Sequence, residues 1–187
     1  MTQLREQVPL EYYLLPAGVE YVPDKDCPYV GRINVRDGRV DVEDIGELTE
    51  PEMRVVALNA LGHSTKQIHR MTGSTHTIVK RQLISARRED ALNAYNPPHA
   101  IDQAFRLGMF VVARAIEAPD LTAREYDALH LVSQGYTKEG IGQEMGKRSV
   151  NTAMSHLRSM RTKFGAPSSS AAVLLGHMSE LLPRQNS

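Results

Sequence analysis

Five cations stand in a stretch that holds no acid at all: Lys147, Arg148, Arg158, Arg161 and Lys163, between Met145 and Ser179. Hydroxyl and amide side chains interleave with them, at Ser149, Asn151, Thr152 and Ser155. The chemistry this mixture offers is noncovalent capture of a polyanion, against the plainer alternative of a solvated surface. Patterns for bond-making chemistry are missing. Cys27 stands alone, which excludes an intramolecular disulfide and a thiolate zinc cluster. His63, His69 and His76 lack zinc-site spacing. Gly146-Lys147-Arg148-Ser149 has arginine after the lysine and no glycine five residues before Gly146, so it is not a phosphate loop. There is no Gly-x-Ser-x-Gly and no paired acid and base. The expectation is a protein with no catalytic residue, no metal and no cofactor, and not an enzyme.

The 187 residues carry 22 Lys+Arg and 22 Asp+Glu, a formal net charge of zero. Taken as an average, that argues against attraction to nucleic acid. By segment the balance is uneven: −5 over residues 1–47, +3 over 48–110 and +2 over 111–187. The 41% hydrophobic and 24% charged fractions are those of a globular domain. No apolar run reaches the roughly 18 residues of a membrane helix, and the first residues lack the basic-then-apolar order of a signal peptide. A cytoplasmic protein with no membrane partner is expected.

The elements that must position the cations come from an internal repeat. Leu48–Ile68 and Leu121–Ile141 align at a constant offset of 73, through Leu-Thr, Glu52/Glu125, Gly62/Gly135, Ser64/Thr137 and Ile68/Ile141. Thr75/Ser149, Val79/Ala153 and Leu83/Leu157 align at 74. Ala100-Ile101 resembles Ala172-Val173. Within each copy, Thr49 with Glu52 and Thr122 with Glu125 form capping boxes, and Ser64 with Gln67 forms another. Met53, Val56, Ala57 and Ala60 make one helical face. Gly62 and Gly135 end the first helices, and breaks near Gly73 and Gly146 end the second. Third helices are expected over about 75–92 and 149–164, and fourth helices over about 99–115 and 170–182. Helix, glycine turn, short helix, tight turn and longer helix is helix-turn-helix grammar, which lays the third helix in a DNA major groove.

Both copies resemble the LuxR/GerE-type (FixJ/NarL-like) helix-turn-helix family, in which Leu-Thr-x-x-Glu is followed by an apolar helix, Gly-x-[Ser/Thr], Ile, Thr-Val-Lys-x-His-Leu, Lys-Leu-Gly-Ala and Ala-Val. The second copy supplies Leu121–Glu125, Gly135–Thr137, Ile141, His156-Leu157, Lys163–Ala166 and Ala172-Val173. The first supplies Leu48–Glu52, Gly62–Ile68, Ile78–Leu83, Ala100-Ile101 and Gly108–Phe110. The second copy has one extra residue between Ile141 and Thr152, and Met154 replaces the lysine of the motif. The first copy keeps Lys80 but has Thr72 at an apolar position.

The resemblance implies a mainly α fold: two tandem four-helix helix-turn-helix units with a short N-terminal β-hairpin segment. The expected division is an acidic segment 1–47, a divergent first unit 48–115 and a second unit 116–187. By position in the motif, DNA contacts fall to Thr75, His76, Thr77, Lys80 and Arg81 in the first copy. In the second they fall to Ser149, Asn151, Thr152, Ser155 and Arg158, with Lys147, Arg148, Arg161 and Lys163 suited to phosphates. Ile68, Met71, Ile78, Val79, Leu83, Ile141, Met145 and Leu157 are expected in the core, and His156 in a packing or capping role. In the acidic segment, alternation around Asp37-Gly38 predicts a hairpin over 33–42, too marginal to stand without packing on something else.

The implied function is a bacterial or phage transcriptional regulator whose partner is double-stranded DNA. It would act as a monomer with a pseudo-two-fold repeat or as a homodimer. The alternative is a protein-binding adaptor, for example to RNA polymerase, in which one or both units do not read DNA.

Overall fold

In a computed structural model, residues 14–16, 48–107, 110–112, 116–146 and 150–183 are described. Eight helices follow one another among them: α1 (Glu50–Ala60), α2 (Thr65–Thr72), α3 (His76–Ser85), α4 (Pro97–Arg106), α5 (Ala123–Ser133), α6 (Lys138–Glu144), α7 (Val150–Phe164) and α8 (Ser169–Met178). Two short strands, β1 (Leu14–Pro16) and β2 (Phe110–Val112), pair antiparallel with Leu14 opposite Val112. The hairpin expected over 33–42 lies outside the described residues.

Side-chain caps set most of the helix starts. Glu52 Oε2 accepts from the Thr49 N–H at 2.9 Å, and Glu125 Oε2 from the Thr122 N–H at 2.7 Å. Gln67 closes the Ser64 box in the same way at 2.8 Å. Asn96 and Ser168 cap α4 and α8. Each of these bonds satisfies a backbone donor that the helix itself cannot reach.

Three helix ends differ from the sequence expectation. Helix α3 stops at Ser85 rather than near residue 92. The chain from Ala86 to Leu92 turns instead, closed by Leu92 N–H to Ala86 O, with Asn93 at φ 44. Ala91 and Leu92 still reach the core, so the apolar spacing is satisfied without helix. Helix α4 ends at Arg106, and β2 occupies part of the span expected to continue it. Helix α8 ends at Met178, and a reversal through Glu180 (φ 60) brings Leu182 back beneath Gly176. Met71 and Ile78 are also corrected: they are 56% and 37% exposed, because α2 and α3 meet through Ile68 and Val79 on their opposite sides.

The third helices are pinned by two similar polar clusters. Glu52 and Glu125 are buried at the N-terminal turns of α1 and α5. Glu52 receives Arg88 at 3.1 Å and the Ser85 hydroxyl. Glu125 receives Lys163 at 2.7 Å and the Ser159 hydroxyl at 2.5 Å. Each carboxylate therefore caps one helix and holds another, and these bonds offset much of the cost of burying its charge.

The two halves meet along α4 and α8, which pack on each other; α1 also touches α8, and α5 touches α4. At the end of α1, Gly62 (φ 91) lies so close to Pro167 and Ala171 that a Cβ would fall 2.3 Å from Pro167 Cγ. At the end of α5, Gly135 (φ 86) lies against Tyr95 and His99, where a Cβ would fall 2.8 Å from His99 Nδ1. Asn96 Nδ2 adds a 2.8 Å bond to Gly135 O. Within the seam, buried Asp102 accepts from Arg106 Nε at 2.6 Å and pairs with His177 Nε2 at 2.9 Å. Phe105 stacks on the His177 ring at 4.6 Å between centroids.

Two predictions come from this packing. Gly62→Ala should destabilise the protein by about 2–4 kcal/mol, since it adds left-handed strain to an overlap with Pro167. Gly73→Ala, at φ 69 with open space around it, should cost only about 1–2 kcal/mol. Urea unfolding of both variants measures the difference, and equal losses would mean that the approach to Pro167 imposes no constraint. The second prediction concerns acid. Burial raises the Glu125 carboxyl, but Lys163, Ser159 and Thr122 outweigh it and hold its pKa at about 2, below the ordinary 4.5. A carboxyl lowered on folding adds stability above its unfolded pKa, which is lost as pH falls from about 4.5 towards 2. Lys163→Ala should shrink the stability lost over that window. Parallel pH–stability curves for the two proteins would rule this out.

Candidate nucleic-acid interface

Helix α3 begins at the Thr75 cap, whose hydroxyl accepts from the Ile78 N–H at 3.3 Å. Val79 and the half-buried Leu83 face inward, onto Val55 and Ile68. The opposite side carries His76, Thr77, Lys80 and Arg81, all exposed, with Ile84 61% exposed beside them. The structure thus brings all five residues expected in the first copy onto one end and outward face of one helix. The face holds no acid, so its potential is positive.

Helix α7 buries Ala153, Leu157 and Met160. Asn151, Ser155 and Arg158 are exposed, and Thr152 is half-buried. Residues Lys147, Arg148 and Ser149 lie outside the described residues. The two remaining cations of the acid-free stretch are engaged within the protein. Arg161 donates to Pro167 O at 2.8 Å, while Lys163 spans Glu125 and the Asp120 carbonyl, at 2.7 and 2.8 Å. Their sequence position suits phosphate contact, but their bonds hold α7 to the start of α8 and to α5. His156 is half-buried among the packed helices, with Nε2 buried and unbonded within the protein.

A cavity of about 530 Å³ opens beside α7. Val132, Ile141, Met154 and Leu157 supply its apolar wall, and Tyr136, Lys138 and Arg158 its polar side. Met154, the departure from the motif lysine, therefore contributes packing surface, where Lys80 in α3 remains an exposed cation. Among the described residues, no three His, Cys, Asp or Glu side chains converge as a metal site would require. None of the described helices is long and apolar enough to cross a membrane.

Sequence reasoning missed the residues that position these faces. The two glutamates were visible as capping-box members. Their partners Ser85, Arg88, Ser159 and Lys163 lie more than 30 residues away, and no local pattern links them. The one available signal was the recurrence of a serine and a cation at comparable places in both copies.

No curated protein and no solved structure matches the chain. Residues 119–175, from just before α5 into α8, match the model of the luxR family of bacterial regulatory proteins.

Proposed function

We propose that the protein is a sequence-specific DNA-binding transcription regulator in which two helix-turn-helix units, residues 48–115 and 116–187, act as an intramolecular pseudo-dimer. The family match of residues 119–175 supports the DNA-binding class. The observation that carries the pseudo-dimer is the exchange of equivalent contacts across the seam. Gly62 of the first unit meets Pro167 and Ala171, and Gly135 of the second meets Tyr95 and His99. Each glycine is 73 residues from the other, and each partner 72 from its counterpart. A surface that meets an equivalent of itself in this reciprocal way is the mark of an isologous two-fold interface. Two-fold-related helix-turn-helix units read half-sites about one helical turn apart on one duplex.

In this reading α3 and α7 enter successive major grooves. Thr75, His76, Thr77, Lys80 and Arg81 face one half-site, and Asn151, Thr152, Ser155 and Arg158 the other. Ser149 joins the second set, and Lys147 and Arg148, which precede α7 in the sequence, meet phosphates. Arg161 and Lys163 act from behind, by holding α7 in place.

Two measurements test this. Sedimentation of the complex should give one chain per site of roughly 20 bp, the span of two half-sites; two chains per site would remove the pseudo-dimer. Affinity should fall steeply between about 50 and 200 mM salt, with a log–log slope that tracks the number of phosphates neutralised. A flat salt dependence, or no binding to any duplex, would favour the adaptor reading instead. Lys80→Ala should lower the salt slope by about 1 if its ammonium meets a phosphate, and an unchanged slope would exclude that contact.

A further inference from the structure

We propose that the two third helices read different bases, so that the DNA target is a non-palindromic duplex bound in one orientation. This rests on the pseudo-dimer reading above. The register between α3 and α7 is fixed by their inward residues. Val79 and Ala153, 74 positions apart, are 0% and 1% exposed beneath their helices. Leu83 and Leu157 follow at the same spacing, each packed inward. Ser85 and Ser159 then reach the two buried glutamates. Among the outward pairs at the same spacing, three stand in register with side chains of unlike chemistry: Thr77 with Asn151, Arg81 with Ser155, and Ile84 with Arg158. All six are exposed.

None of the three pairs agrees in chemistry. Arg81 offers a planar fork of donors that suits guanine O6 and N7, where α7 offers only the Ser155 hydroxyl. Asn151 offers an amide that suits adenine N6 and N7, where α3 has Thr77. Ile84 presents apolar surface of the kind a thymine methyl packs against, and its counterpart is the cation Arg158. The inward positions Val79/Ala153, Leu83/Leu157 and Ser85/Ser159 keep their packing or bonding role in both helices, while these exposed pairs differ in the chemistry they would offer to bases. Two identical helices in a homodimer are bound to see the same bases in both halves; these two are not.

The test is selection from random duplex oligonucleotides with the full chain, repeated with Arg81→Ala and Asn151→Ala. Both side chains are exposed, so the variants should fold; thermal melting checks this. A second pair, Arg81→Lys and Asn151→Gln, keeps polarity while changing the bonding geometry. The expected result is a motif with two unlike halves. Each variant should lose base preference in one half only, a different half for each, by roughly 5- to 100-fold. A palindromic motif would overturn the inference and leave the pseudo-dimer standing. Loss in the same half for both variants, or a motif with a single half-site, would also overturn it. Failure to enrich any duplex would instead overturn the DNA-binding reading on which it rests.

Discussion

The two buried carboxylates, Glu52 and Glu125, are the constraint on which the rest depends. Each stands at the third position of a helix, accepts the N–H of its capping threonine and binds a serine and a cation from a distant element. The capping bond fixes where α1 and α5 begin. The long-range bonds fix how α3 and α7 lie across them. A buried carboxylate that lost its cation would keep its desolvation penalty and lose the compensating attraction, a loss softened because Arg88 and Lys163 are partly exposed. The angle of each third helix is therefore tied to the integrity of a cap on another helix. The two clusters are not identical: Arg88 lies in the turns that follow α3, whereas Lys163 is still within α7. That difference accompanies the length of the two helices, 10 residues for α3 and 15 for α7.

Charge bookkeeping on the surface follows from the same bonds. The helical halves carry a surplus of cations, but many are spent internally. Arg87 bonds the carbonyls of Leu83 and Tyr95, Arg88 pairs with Glu52 and Asp90, Arg106 with Asp102, and Lys163 with Glu125. What remains on the outward side of α3 and α7 is a small set of exposed cations, chiefly Lys80, Arg81 and Arg158. Lys147 and Arg148, outside the described residues, add to this set under the proposed function, and each phosphate met deepens the salt dependence. Under the proposed function, discrimination would come mainly from contacts to base edges and from the fixed geometry of two linked helices.

Much of the helical framework was legible in the sequence because its signals are local. Capping boxes, glycines at helix ends and apolar periodicity placed all eight helix starts within two residues of Thr49, Ser64, Thr75, His99, Thr122, Thr137, Ser149 and Ser170. The ends were less legible. Ala91 and Leu92 carry helical spacing but are buried by turns, and Phe110 sits in a strand within a span that reads as helix. These outcomes are set by tertiary packing, against which propensity is a weak prior. Met71 and Ile78 read as core by type, yet a helix of eight to ten residues in a small unit has one side to bury, and Ile68 and Val79 fill it. The outward residues of α3 and α7 were reached only through the motif, since exposure alone distinguishes nothing.

The seam between the halves decides what a single chain can do that two chains cannot. Asp102 and His177 are 2% and 0% exposed at its centre, and α4 and α8 close over them. Such a pair adds little net stability over an apolar one, but it penalises every packing that separates its members. It therefore fixes one relative placement of the halves. Under the proposed function, linkage within one chain would also remove the concentration dependence that a dissociable dimer imposes on binding. It would remove a second restriction as well. In a homodimer every substitution appears twice, so a change that suits one groove must be tolerated in the other. Here Gly62 and Gly135, Val79 and Ala153, and Ser85 and Ser159 keep matching structural work in the two halves. Residues such as Ile84 and Arg158 are under no such obligation. Under the proposed function, two like units held together by the Asp102–His177 contact would be free to diverge on the face that meets DNA while their interiors stay matched.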